Sequence, residues 1–183
     1  VAPDVHEPVP WLPDPTHVAD PPAVPPAVLG ELVHLALAHG ADPRMPALLD
    51  DLARQSLWDE ALIRAAVDRA LELVARWRRH PASAEIDRAD QCWRELWLTD
   101  EGQSMRIDLL YRHGDRWHIV DFKSDDIADE LTLRDRIARY RPQLVRYAAA
   151  VRAILGVSPT ASLCLLNDRG TVHIVPIPLG GMA

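Results

Sequence analysis

Apolar positions in this chain follow two rhythms, and the change falls near Pro81. Before it, helical spacing dominates. The stretch "AVLGELVHLALAHG" is apolar nearly all round, which predicts a buried helix that opens near Pro25 and Pro26 and ends at Gly40. A short helix is predicted over "PALLDDLARQ". The longer "WDEALIRAAVDRALELVARWRRH" carries an apolar stripe of Leu62, Ala66, Ala70, Leu73, Val74 and Trp77. Arg64, Asp68, Glu72 and Arg76 fall on its wet side, spaced for i, i+4 pairing. After Pro81, "QCWRELWLT", "SMRIDLLYRH" and "RWHIVDFKS" read as three strands. Helical spacing returns in "RPQLVRYAAAVRAILG", with Pro142 in its first turn and Gly156 at its end. A second hairpin, "TASLCLLND" and "GTVHIVPIP", turns around Asp168-Arg169-Gly170. Helices, three strands, a helix and two strands predict a layered α/β domain with a mixed sheet. Residues 1–26 are Pro-rich and without periodicity, so they read as a linker or arm, with Trp11 and Leu12 as its docking groups. Residues 27–183 then form the folded domain. A first residue of Val1 rather than Met suggests a piece of a longer protein.

The first hairpin can be counted. Gly114-Asp115 suits a two-residue loop of type II′. His113 then pairs with Arg116, Leu110 with Ile119, Leu109 with Val120 and Ile107 with Phe122. That register sets Asp108 opposite Asp121, and alternation puts Lys123 on the same face as Asp121. Like charges facing each other across strands are destabilising. Both acids sit inside apolar runs ("RIDLL", "IVDF"), so the pair needs a shared proton, a basic partner or a metal ion. A divalent cation answers that geometry best, since hard cations take carboxylate oxygens.

Composition adds one oddity. The chain has 20 Lys plus Arg, and Lys123 is its only lysine. Arg is a fixed, delocalised cation, whereas Lys is a compact point charge. Beside such carboxylates it can orient or deprotonate an attacking water, or neutralise a developing oxyanion, with orientation and charge stabilisation favoured over general-base action. The remaining composition sets limits. A chain of 183 residues, 48% hydrophobic, suits one domain with a real core. No apolar run is long enough to span a bilayer, and no signal peptide opens the chain. Cys92 and Cys164 form no Cys-x-x-Cys pair, which fits a reducing, cytoplasmic setting. A net charge of −7 argues against nucleic acid when taken alone. However, six arginines and one acid between Arg134 and Arg152 make a local basic surface.

The stretch "RIDLLYRHGDRWHIVDFKSD" resembles the core of the PD-(D/E)XK nucleases. More narrowly, it is similar to the RecB-type nuclease domain fused to the C-terminus of bacterial UvrD-like helicases, as in the RecB and AddA subunits. "GELVHLALA" resembles that family's first motif, whose helical histidine binds metal, at His34. "YRPQLVRYAAAV" resembles its Gln-x-x-x-Tyr motif, at Gln143 and Tyr147, one helical turn apart. The likeness runs from about Gly30 to the last strand. It implies a restriction-endonuclease-like α/β core, a mixed sheet of about five strands flanked by helices. It also implies Mg²⁺ or Mn²⁺ held by His34, Asp108, Asp121 and the Phe122 carbonyl, with Lys123 beside it. Single-stranded DNA would be the substrate, fed by an attached helicase motor, with a second helicase–nuclease subunit as a further partner and no membrane involved. Met105 departs from the pattern, where the family often has Gly. Cysteines for the iron–sulfur cluster of Cas4-like and AddB-like relatives are missing. Glu95, on the preceding strand, is expected behind the metal ligands; His118 should face away and His113 lies at the turn. The rival function is a nuclease-like fold that binds DNA or scaffolds without cutting. Retention of His34, Asp108, Asp121 and Lys123 together argues against it.

Overall fold

The computed structural model describes residues 23–40, 42–100 and 102–179. Most of the predicted arm, including Trp11 and Leu12, lies outside the described residues. Four helices come first: α1 (Pro26–His39), α2 (Met45–Ala53), α3 (Glu60–Arg79) and α4 (Pro81–Ile86). Three strands follow, β1 (Gln91–Asp100), β2 (Gln103–His113) and β3 (Arg116–Ile127). Then come α5 (Glu130–Leu155), β4 (Thr160–Asp168) and β5 (Thr171–Pro176). The strands lie in the order β1-β2-β3-β4-β5, antiparallel except for the β3–β4 pair, which α5 connects. This is the expected mixed sheet of five strands flanked by helices, a restriction-endonuclease-like α/β fold.

Helices α1 to α4 cover one face of the sheet and α5 covers the other, giving two apolar layers. On α3 the buried stripe is Ile63, Ala66, Val67, Ala70, Leu73, Val74 and Trp77, while Leu62 is only half-buried. Of the predicted wet-side groups, Arg76 and Glu72 form an ion pair. Asp59 caps α3 by accepting the Leu62 N–H at 2.8 Å. Helix α4 was not expected, because Pro81 reads as a break. Here it occupies the first turn, where its missing N–H costs nothing. Pro142 corrects the sequence reading in the other direction. It lies well inside α5, which begins twelve residues earlier at Glu130, where the Asp129 carboxylate accepts the Thr132 N–H. The charged segment "ELTLRDRIARY" has a weak apolar period, so its helicity comes from tertiary packing on β3 and β4.

The core depends on the central strands. Leu163, wholly buried on β4, packs in the layer beneath α5. Leu163→Ala should cost about 2–5 kcal/mol. Its urea midpoint should fall with the slope unchanged.

The first hairpin turns as counted. Gly114 has φ 55° while Asp115 keeps a negative φ, the pattern of a type II′ loop. The predicted pairs from His113–Arg116 to Leu109–Val120 form, and there the ladder stops. The predicted Ile107–Phe122 pair is absent from it. An unbroken ladder would send the Phe122 N–H to the Ile107 carbonyl. Instead it donates to Asp108 Oδ2 at 2.7 Å.

A second irregularity lies at the same level between β1 and β2. Trp93, Leu96 and Leu98 of β1 all face α5, as do Leu110, Ile107 and Met105 of β2. Alternation therefore slips by one position on both strands, across Glu95 and Asp108. The neighbouring pairs Arg94–Leu109 and Leu96–Ile107 form, but Glu95 and Asp108 between them do not. Glu95 takes φ 51°, a left-handed conformation uncommon for a non-glycine residue.

Candidate metal-binding active site

The slip takes two acids out of the ordinary in-and-out pattern of the sheet and turns them toward α1. His34, one turn beyond Gly30 on that helix, meets them. Its Nδ1 lies 3.3 Å from Glu95 Oε1 and 3.4 Å from Asp108 Oδ1. His34, Glu95 and Asp108 each offer a ligand atom, all within 4.8 Å of one another. Arg106 Nε holds the other Glu95 oxygen, Oε2, at 2.9 Å. Asp108 is likewise divided: Oδ2 takes the Phe122 amide, and Oδ1 points to the histidine.

Asp121 is 0% exposed, and its Oδ2 lies 2.7 Å from Lys123 Nζ. Neither of its oxygens takes a hydrogen bond of good geometry. Lys123 is thus on the Asp121 face, as alternation requires. Its ammonium also sits 4.6 Å from the centre of the Tyr140 ring on α5. The Tyr140 hydroxyl donates to Asp125 Oδ2 at 2.9 Å, and Arg136 Nε approaches Asp125 Oδ1 at 2.8 Å. On the same helix, Gln143 Nε2 donates to the Tyr147 hydroxyl at 2.6 Å. Tyr147 is buried and close enough to feel the charges of Asp121 and Asp108. Phe122 packs its ring edge-on against Trp77 of α3. His118 stacks on Tyr111 and bonds to Thr160, away from the acids. His113 stays at the turn beside Glu85.

Burial and neighbouring charges shift Asp108, Asp121 and His34 alike. Burial, and then the charge of Asp121, push Asp108 up to about 7. Burial raises Asp121 as well, and the nearby Lys123 does not cancel it. For His34, burial pulls the pKa down. The hydrogen bond with Glu95 and the charges of Asp108 and Glu95 outweigh that and raise it. Buried carboxyls with unengaged oxygens next to an imidazole are a donor set that fits a hard or borderline divalent ion. Among the sequence candidates, His34, Asp108, Asp121, Lys123, Gln143 and Tyr147 thus gather at one place, and Phe122 lines it. Glu95 offers an oxygen within the same cluster as His34 and Asp108, and Tyr140 was not foreseen at all. The spacing of Tyr140, seven residues before Tyr147 on one helix face, was the available signal.

The cluster opens into a cleft of about 880 Å³ between α1, the end of β3 and α5. His34, Lys123 and Tyr140 line it, together with Arg69, Arg136 and Arg139.

A mixed five-stranded sheet between helical layers, with an acidic pair and a lysine where its central hairpin opens, defines a restriction-endonuclease-like domain. The chain belongs to the PD-(D/E)XK nuclease superfamily, whose family model matches residues 12–174. Members of that superfamily generally use divalent metals. No curated protein matches the chain. Among solved structures, it is similar to a protein from Eubacterium rectale described as "Putative exonuclease", at 15% identity and a TM-score of 0.56. The likeness covers 87% of this chain and 61% of that one, so this chain spans less than two thirds of its neighbour. A weaker likeness, at 14% identity and a TM-score of 0.31, is to protein VC1899 from Vibrio cholerae, covering 78% of this chain and 42% of that one. Among the described residues, no helix is long and apolar enough to cross a membrane.

Proposed function

We propose that this domain is a metal-dependent deoxyribonuclease that hydrolyses phosphodiester bonds, degrading single strands from an end. The reading extends to a RecB-type nuclease domain, fused behind a UvrD-like helicase motor and acting in double-strand break repair and recombination. One observation carries it: two buried carboxylates stand together, Asp108 beside His34 and Asp121 beside Lys123. The residues present fit a divalent cation, with His34, Asp108, Asp121 and the Phe122 carbonyl to hold Mg²⁺ or Mn²⁺. Once bound, such an ion supplies an activated water and neutralises charge on the phosphate. The chain's own groups do the rest. Asp121 fixes the Lys123 ammonium from below and the Tyr140 ring fixes it from the side. There it can orient the attacking water and stabilise a developing oxyanion. Gln143 and Tyr147, bonded to each other on α5, lie near enough for Tyr147 to feel the charges of the acidic pair. Arg69, Arg136 and Arg139 supply positive charge along the cleft for the phosphate backbone. An acidic chain can therefore still accept DNA at this groove, aided by the motor.

The test is cleavage of end-labelled single-stranded DNA in Mg²⁺ and in Mn²⁺, wild type against Asp108→Asn. Metal-dependent shortening by wild type alone is expected, with a closed circular single strand left intact. Wild type that cuts no better than Asp108→Asn in either metal removes the enzyme reading and leaves a DNA-binding or scaffold role.

A further inference from the structure

We propose that Glu95 is itself a ligand of the divalent cation, in one shell with His34 Nδ1 and Asp108 Oδ1; this rests on the nuclease reading of the same site. Three observations point the same way. The first is the direction of approach. A carboxylate that only orients a metal-binding histidine bonds to the ring nitrogen opposite the ligating one. Here Glu95 Oε1 and Asp108 Oδ1 approach the same nitrogen, Nδ1, so Glu95 stands on the ligating side of the ring.

The second is spacing. Adjacent ligands around an octahedral cation with bonds of about 2.1–2.4 Å stand about 3.0–3.4 Å apart. The two separations from Nδ1 are 3.3 and 3.4 Å. The third is the backbone. Glu95 is the residue at which β1 leaves the ladder, with φ 51°, directly opposite the point where β2 does the same at Asp108. The Arg106 guanidinium pairs with Oε2, and Oε1 is the oxygen turned to His34 Nδ1. In the metal-free protein a proton on Nδ1 can bridge to Glu95; that proton must leave when the nitrogen binds metal.

Glu95→Gln tests this, because it keeps a hydrogen-bond acceptor for the imidazole while losing the anionic ligand. Mn²⁺ alone is titrated by loss of the free-ion EPR signal, without DNA. Binding should weaken by about tenfold or more relative to wild type, since affinity at an oxygen-ligand site follows its ligand charge count. An affinity within about twofold of wild type overturns the proposal, since an orienting acceptor would have been preserved. If circular dichroism in EDTA shows Glu95→Gln misfolded, Arg106→Leu gives the second reading. Removing that positive charge from beside a ligating carboxylate should tighten Mn²⁺ binding, and unchanged binding overturns the proposal. The two levels of inference separate cleanly. Wild type that binds Mn²⁺ through Glu95 yet cuts no DNA removes the nuclease reading alone. Wild type that cuts DNA while Glu95→Gln binds Mn²⁺ normally removes the Glu95 ligand alone. Wild type that binds no Mn²⁺ removes both.

Discussion

Asp121→Asn should abolish cleavage and, in EDTA, make the protein more stable. Both effects have one cause. Without metal, Asp121 and Asp108 are buried beside each other with Lys123 as their shared cation. Burial raises both pKa values, and the charge of Asp121 raises that of Asp108 further. A carboxyl with a raised folded pKa binds more protons folded than unfolded, so stability is lost as pH rises. The loss should begin near the unfolded value of about 4 and continue through the Asp108 folded value of about 7. Asparagine removes one of the two charges and leaves Asp108 balanced by Lys123. The variant's metal-free melting temperature at pH 8 should therefore exceed that of wild type by a few degrees, about 2–4 °C for each kcal/mol in a domain of this size. Its stability should also depend less on pH between 4 and 8. Cleavage should fall to on the order of 10⁻³ of wild type or lower. Paired melts in EDTA at pH 5 and pH 8 read the first effect, and a labelled-strand assay in Mg²⁺ reads the second. A variant less stable than wild type at pH 8 would show that Asp121 is a structural partner of Lys123 and not a strained acid.

That strain also explains how much of the site was legible beforehand. The turn residues Gly114-Asp115 fixed the register, and counting from them placed Asp121 and Lys123 on one face. Such counting assumes unbroken alternation. It held as far as Leu109 and Val120 and failed at Asp108, where β1 and β2 slip together. A double slip leaves no trace in hydrophobic pattern, because "RIDLL" and "RELWL" read equally well in either phase. For the same reason Glu95 could be noted for its location but not for its role. It is brought to His34 by a left-handed backbone that only the folded sheet imposes. Helix boundaries failed where tertiary contact overrode local signal. Pro142 argues locally for a helix start, yet packing of α5 on β3 and β4 carries the helix through it. Tyr140 escaped because its role depends on a partner seventeen positions away on another element.

Lys123→Arg should retain charge, fold and Mn²⁺ binding and yet lose most cleavage, by about 10²–10³ in kcat. The lysine's surroundings give the reason. Nζ is held 2.7 Å from Asp121 Oδ2 and 4.6 Å from the Tyr140 ring centre, and the side chain is 15% exposed. That is a slot for a small ammonium with one open side toward the cleft. Its walls are fixed, since Asp121 lies in the central sheet and Tyr140 is tied to Asp125 and through it to Arg136. A guanidinium is longer and planar and spreads its charge over three nitrogens. It would pair side-on with Asp121 or slide over Tyr140, and either pose moves its donors off the point where the ammonium now faces the cleft. Positioning of this kind acts on the transition state more than on binding, so kcat should fall with little change in KM. Single-turnover cleavage of a labelled strand, with Mn²⁺ affinity and melting temperature measured in parallel, separates the outcomes. Activity within about tenfold of wild type would mean that any cation suffices there. A chain that writes arginine at every other basic position would then have kept its one lysine for no reason of chemistry.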